Sequence, residues 1–272
     1  MLKDKLENVR NKTPLIHNIT NYVTVNDCAN ILLACGGSPI MSDDIDDVAD
    51  ITSICKGLNI NIGTLNKNTI PSMFAAGKKA NELSHPVILD PVGVGASTLR
   101  TETVNNLLKE IKFSVIKGNI SEIKTLALGS GTTKGVDADV KDTVTAQTLP
   151  EVVSFAKKFA NETGAIIVIT GATDIIADST KAIAVRNGHP MMSKITGTGC
   201  MLSALIAAFV AANMDNIYEA TVAAVCAMGL CGEKAFARMK KEDGNLSFKN
   251  YLIDSLYNLD GDSLESGAKF ER

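Results

Sequence analysis

Lys194-Ile195-Thr196-Gly197-Thr198-Gly199-Cys200 runs directly into Met201-Leu202-Ser203-Ala204-Leu205-Ile206-Ala207-Ala208-Phe209-Val210-Ala211-Ala212. The first part carries two glycines spaced two apart. The second is apolar almost throughout and rich in helix formers. The join reads as a glycine turn opening into a buried helix. A helix start leaves its first backbone N–H groups without intrahelical acceptors, and the helix dipole makes that end attractive to negative charge. Glycine lets an anion approach those groups closely. Cys200 falls in the first turn, beside whatever is held there. A plain turn before a core helix fits the same residues, so the surrounding chain has to decide between the two.

Upstream of that stretch the chain alternates. Gly57–Ile62 reads as a strand ending at Gly63-Thr64, Val87–Leu89 as one ending at Asp90, Ser114–Ile116 as one ending at Lys117-Gly118-Asn119, and Ala165–Ile169 as one ending at Thr170-Gly171. Helical patterns fall between them, near 68–83, 101–111, from 121, and near 150–163. Earlier still, Leu2, Leu6 and Val9 share one helix face before Pro14, and a second helix over 23–35 stops at Gly36-Gly37. Between those helices, Leu15–Tyr22 holds two Asn and a His, which reads as an Asx-turn cluster in preference to a polar pocket wall. Ser38–Ser42 reads as an edge strand. Residues 175–177 and 182–185 predict a hairpin. Two apolar helices near 199–213 and 217–239 and an amphipathic one over 247–258 follow, then a polar, mobile tail from about 260 to 272. Apolar strands alternating with helices predict an α/β fold with a mostly parallel, doubly wound sheet. No linker or composition shift divides residues 1–272, which predicts one domain.

Composition narrows the class. The chain has 272 residues, 45% hydrophobic and 21% charged, with 4% aromatics and no Trp. Its core must therefore be built from Ile, Leu, Val, Ala and Met, which suits buried strands covered by Ala-rich helices. A net charge of −3 with no Lys/Arg run argues against nucleic acid. Met201–Ala212 falls short of the ~20 residues a bilayer crossing needs, and the charged N-terminus has no signal-peptide core. The expectation is a cytoplasmic protein without membrane contact. Six cysteines, at 28, 35, 55, 200, 226 and 231, form no CxxC pair and read as reduced thiols.

In open α/β sheets ligands bind outside the carboxyl ends of the strands. That rule gathers Gly63-Thr64, Asp90, Lys117 with Glu122, and Thr170-Gly171 around the glycine turn. Asp90 and Glu122 offer hard oxygen ligands for Mg2+, directly or through water. Lys117 could neutralise a phosphate, Thr170 hydrogen-bond one, and Cys200 take a proton from an attacking hydroxyl. The structural alternatives are a turn at Asp90-Pro91 and a helix-start carboxylate at Glu122. Two tempting patterns fail. Gly129-Ser130-Gly131-Thr132-Thr133-Lys134-Gly135 lacks the P-loop spacing, and Gly93-Val94-Gly95 lacks the third glycine of a dinucleotide fingerprint. The acidic run Asp43–Asp47 reads as helix-start acids in preference to a metal site.

Asn119-Ile120-Ser121-Glu122 matches the NxxE motif of ribokinase-like kinases, and Gly197-Thr198-Gly199-Cys200 matches their late GTGD motif with Cys for Asp. With Leu15–Asn21, Gly37–Ser42 and Leu89–Gly93 in the same order, the chain from about 13 to 240 resembles the hydroxyethylthiazole kinase family. GTGC alone is shared with hydroxymethylpyrimidine phosphate kinases, the nearest alternative; a dehydratase on the same scaffold and a nucleotide-binding regulator without catalysis are further ones. The resemblance implies a three-layer αβα ribokinase-like fold and a homotrimer with substrate sites at subunit interfaces. It implies ATP- and Mg2+-dependent phosphorylation of the alcohol of 4-methyl-5-(2-hydroxyethyl)thiazole. By position, Met41, Gly197 and Asn21 would contact the thiazole, Asn21 from an adjacent subunit. Lys117, Thr170 and Gly171 would contact ATP, the family often having Arg in place of Lys117. Asp90 and Glu122 would organise the metal. Gly197, Thr198 and Gly199 would cradle the moving phosphoryl group, with Cys200 where related sugar kinases place a base.

Overall fold

The computed structural model describes residues 1–128 and 147–271. One nine-stranded sheet runs through them in the order β2 (Ser38–Met41), β1 (Leu15–Ile19), β3 (Gly57–Asn61), β4 (Val87–Asp90), β5 (Val115–Asn119), β6 (Ile166–Thr170), β7 (Asp174–Ala177), β8 (Ala182–Val185), β9 (Phe270–Glu271). Neighbours from β2 across to β6 are parallel, and β6 to β9 are antiparallel. The strands are short β-branched runs. Ile166, Ile167, Val168 and Ile169 are all buried, as a strand covered on both faces requires. The predicted hairpin is β7–β8, and the predicted edge strand is β2.

Helices cover both faces, giving the three-layer αβα arrangement. On one side lie α1 (Leu2–Lys12), α2 (Val25–Cys35), α8 (Thr198–Ala212), α9 (Ile217–Arg238) and α10 (Asn245–Tyr257), joined in one apolar cluster. On the other lie α3 (Val48–Ile54), α4 (Thr69–Glu82), α5 (Thr98–Glu110), α6 (Ile120–Leu128) and α7 (Leu149–Thr163) around a second cluster. Helix α2 ends as its glycines dictate: Gly36 takes φ 95°, and the Gly37 N–H closes on the Leu32 carbonyl at 2.9 Å. Helix α9 is long and apolar enough to cross a membrane, but 78% of its most apolar window is buried inside the protein, which makes it a core helix. The stretch Gly129–Gly135, rejected above as a P-loop, lies outside the described residues.

Helix α8 occupies the centre. Twelve of its fifteen residues are buried, so it is apolar on every side. It packs against β1, β3 and β4 below and against α1, α2 and α9 around it. Full burial of Leu205, Ile206 and Phe209 stabilises this placement by roughly 1.5–3 kcal/mol per side chain. The chain turns from β1 to one neighbour and then crosses back to the other, so strand order reverses between β1 and β3. A ligand crevice opens at such a reversal, outside the strands' carboxyl ends.

Two expectations change. Leu15–Ile19 is strand β1, where a turn cluster was the preferred reading. Its polar groups are satisfied within the strand and across the sheet: Asn18 Nδ2 donates to the Ile16 carbonyl of its own strand, and Asn59 Nδ2 donates to Asn18 Oδ1 at 3.1 Å. The tail is not loose either. Asp260 caps helix α11 (Gly261–Gly267) by accepting the Ser263 N–H at 2.7 Å, Leu264 is buried, and β9 pairs with β8.

Candidate active site

The last residue of β4, Asp90, is fully buried. Its Oδ2 accepts the Ser203 hydroxyl at 2.7 Å and Asn61 Nδ2 at 2.8 Å, while Oδ1 faces Lys117 Nζ at 3.0 Å as its ion-pair partner. Lys117, from the middle of β5, is 3% exposed and also donates to the Gly199 carbonyl at 3.1 Å. Burial alone would lower its proton affinity. The Asp90 carboxylate, with Cys200 and Glu122 behind it, outweighs that and holds Lys117 above the ordinary lysine value. The lysine lies beneath the first turn of α8 and is absent from the walls of the cavity where Thr170 and Gly171 stand.

Asn119 and Glu122 form a capping box at the start of α6. Asn119 Oδ1 accepts the Glu122 N–H at 2.8 Å, and Glu122 Oε2 accepts the Asn119 N–H at 2.8 Å. Glu122 Oε1 accepts a second N–H, from Gly93, at 2.9 Å, tying the turn after β4 to the cap. Burial, then the like charge of Asp90, push the Glu122 carboxyl above its usual range. A cation placed here would meet a carboxylate whose charge is offset only by Lys117, itself paired to Asp90, and by backbone N–H groups.

The glycine turn is the N-terminus of α8. Gly197 takes φ 91°, and a Cβ there would sit 2.7 Å from Thr24 Cγ2. Packing against Thr24 and left-handed backbone therefore require glycine before any ligand is considered. No side chain caps the turn. The N–H groups of Thr198, Gly199 and Cys200 have no acceptor within the helix, which leaves them available to an anion.

One cavity opens on this turn, and a second lies beyond Asn61, which is hydrogen-bonded to Cys200. The larger, about 560 Å³, is walled by Thr170, Gly171, Asp174, His189, Thr198 and Gly199. His189, in the wall of that cavity, stacks on Phe236 with centroids 3.6 Å apart, which backs the imidazole from outside. Asp174 Oδ1 accepts the Gly171 N–H at 2.9 Å, and burial pushes its carboxyl up to about 7. The smaller cavity, about 240 Å³, is walled by Asn18, Thr20, Tyr22, Met41 and Asn61 at the β1/β3 reversal. His17 fixes its Met41–Ser42 side: Nε2 lies 2.9 Å from the Ser42 carbonyl, and burial lowers the ring's proton affinity, so the ring is neutral.

Cys200 stands where these parts meet, 9% exposed, its sulfur accepting Asn21 Nδ2 at 3.2 Å and Asn61 Nδ2 at 3.3 Å. Asn21, expected to reach in from an adjacent subunit, is thus buried beside Cys200 of its own chain. Asn61 and Ser203 were missed in the sequence. A polar residue at alternate positions of Leu58-Asn59-Ile60-Asn61, in a strand buried throughout, was the available signal. Among the described residues no group of three or more His, Cys, Asp or Glu is placed to hold a metal ion. In the acidic run before α3, Asp44 accepts the Asp46 N–H and Asp47 accepts the Ser42 hydroxyl.

Comparison with known proteins agrees with this geometry. A sequence model of the hydroxyethylthiazole kinase family matches residues 6–262. A protein of Clostridium acetobutylicum named hydroxyethylthiazole kinase is 68% identical over 271 residues, spanning 100% of this chain and 99% of its own. The solved structure of a hydroxyethylthiazole kinase protein from Pyrococcus horikoshii superposes with a TM-score of 0.87 at 35% identity, covering 99% of this chain and 98% of that one. A ribokinase-like superfamily protein of Enterococcus faecalis, 14% identical with a TM-score of 0.62 over 93% of each chain, shares the fold alone. Matched along nearly its whole length, and carrying its strand-end carboxylates and glycine turn in one place, the chain belongs to the hydroxyethylthiazole kinase family.

Proposed function

We propose that this protein transfers the γ-phosphoryl group of ATP to the hydroxyl of 4-methyl-5-(2-hydroxyethyl)thiazole. The observation that carries this reading is the first turn of α8, which serves both cavities. Thr198 and Gly199 wall the larger, and Cys200 is hydrogen-bonded to Asn61, which walls the smaller. ATP fits the larger, with its base near His189 and its phosphates toward Thr170, Gly171 and the turn. The thiazole alcohol fits the smaller, against Met41. The new bond forms between the alcohol oxygen and phosphorus as the bond to the departing ADP oxygen breaks, and Cys200 accepts the alcohol's proton. Such a transfer needs alignment and charge neutralisation above all. The N–H groups at the α8 start supply fixed donors for the moving phosphoryl group.

The carboxylates fit a hydrated Mg2+, which would neutralise phosphate charge when bound. Asp90 already faces an ammonium, so a direct metal bond there would press two cations together. Glu122 has lone pairs beyond its two N–H contacts and no ion-pair partner of its own, and it would hold the ion through water. Lys117 supports the phosphates from beneath the turn through the Gly199 carbonyl. Three copies would assemble around the smaller cavity, whose rim exposes Tyr22 at 78% next to Val23 at 56%. Light scattering on the purified protein reads that stoichiometry. The six free cysteines are all buried, in keeping with work in the reducing cytosol where ATP is found. A coupled ADP-release assay with the thiazole alcohol, a hydroxymethylpyrimidine and no acceptor tests the function. Turnover with the thiazole is expected, and turnover only with the pyrimidine would sink the proposal.

A further inference from the structure

Asn61, the last residue of β3, is 1% exposed and uses all four of its hydrogen-bonding capacities. Its two N–H groups go to Asp90 Oδ2 at 2.8 Å and Cys200 Sγ at 3.3 Å. Its carbonyl oxygen accepts the Gly63 N–H at 2.9 Å and Asn21 Nδ2 at 3.0 Å. The orientation of this amide is not a free choice. A backbone N–H can only donate, so Gly63 fixes which end is oxygen and which is nitrogen. Asn21 is pinned in the same way, because its Oδ1 accepts the Thr24 N–H at 3.1 Å and the Thr24 hydroxyl at 3.0 Å. Both amides must therefore turn an N–H onto the sulfur of Cys200.

We infer that Asn61 is a positioning residue for phosphoryl transfer, joining Cys200 to Asp90 and holding the sulfur in place as an acceptor. The inference rests on the reading of Cys200 as the group that takes the alcohol's proton. Asn61 connects what no single helix or strand could. Asp90 belongs to β4, Cys200 to α8 and Asn21 to the turn after β1, and one carboxamide bonds all three. Register makes this possible, since Asn61 and Asp90 are direct partners across β3 and β4. Two fixed donors hold the sulfur with little freedom to turn. A side chain set with that little play raises turnover without tightening the nucleotide.

The test is a double-mutant cycle on the full-length protein, read by ADP release with the thiazole alcohol. Asn61→Leu fills the space without the donors. It is expected to lower kcat about tenfold or more and to leave KM for ATP within about twofold of the native value. In the Cys200→Ala background the same substitution has no sulfur to misplace, and its fold-loss is expected to be smaller by about threefold or more. A difference below threefold between the two backgrounds overturns the inference, because a structural role costs the same in both. Asn61→Ser, which keeps a hydroxyl for the Gly63 N–H, carries the same cycle if the leucine variant does not fold. Failure of the underlying reading looks different: Cys200→Ala alone would then turn over as fast as the native protein.

Discussion

Replacing Lys117 by Met removes an ammonium from a place that water cannot refill. Lys117 is 3% exposed and Asp90 fully buried, with 3.0 Å between Nζ and Oδ1. Their attraction is on the order of 5 kcal/mol at an effective dielectric of about 20, and the cost of burying both ions offsets most of it. Losing one partner is another matter, since the other charge stays buried; such losses cost about 3–5 kcal/mol. Ser203 and Asn61 still donate to Asp90 in the variant, so the lower end, about 3 kcal/mol, is expected. For a chain of this size that lowers the melting temperature by about 5 °C. Asp90→Asn added to Lys117→Met removes the stranded charge and is expected to restore about half of the loss. Scanning calorimetry of the native protein, the single variant and the double variant measures all three. If the single variant melts with the native protein, or the double variant melts no higher than the single, Asp90 is not held by a buried ion pair and the reasoning fails.

Cys200→Asp keeps an acceptor for both amides and for the alcohol's proton, so it should turn over about tenfold faster than Cys200→Ala; equal rates in ADP release would remove the proton-acceptor role. Gly197→Ala forces a Cβ into the left-handed region and against Thr24 Cγ2, which should destabilise by at least ~1–2 kcal/mol; adding Thr24→Ser removes that methyl and should recover part of the melting loss. Asp174 has a folded-state pKa raised to about 7 by burial, so its contribution to stability is complete below the unfolded value and is lost as pH climbs toward 7. Asp174→Asn lacks that loss, and urea titrations should show it gaining on the native protein by about 3–4 kcal/mol between pH 4 and pH 8. A gap independent of pH would show that Asp174 does not titrate in that interval.

The fold was legible where burial writes itself into residue type. Ile166–Ile169 could only be an inner strand, and Met201–Ala212 could only be a helix wrapped on all sides. Asp90, Lys117 and Thr170 were singled out by the rule that sites form at strand ends, because each follows an apolar run, and Glu122 by its place in the helix start just after one of them. Strand β1 was hidden because its polarity is answered at a distance: Asn18 finds Asn59 and His17 finds Ser42, contacts that exist only once the register is set. Asn61 was hidden for the same reason, since a lone Asn becomes a hub only when β3 lies against β4 and α8. Helix α11 and β9 escaped because their support comes from α1 and β8, 85 and more residues away: Lys3 N–H donates to Glu265, and Arg186 pairs with Glu271.

A count of charge shows why the motifs must come together. Asp90 and Glu122 bring two negative charges to neighbouring strand ends, and Lys117 brings one positive charge, spent on Asp90. Glu122 is left over, its carboxyl raised by burial and by Asp90, and bonded only to N–H groups. Phosphates entering beside it would add more negative charge, which the α8 N–H groups alone could not offset. The hydrated divalent cation proposed at Glu122 would close that deficit on the nucleotide side. The Lys117 bond to the Gly199 carbonyl holds the glycine turn in register with Asp90 from below. On this reading the NxxE and GTGC motifs are two halves of one electrostatic arrangement. One caps a helix so that its carboxylate faces a cation, and the other leaves a helix uncapped so that its amides face a phosphate.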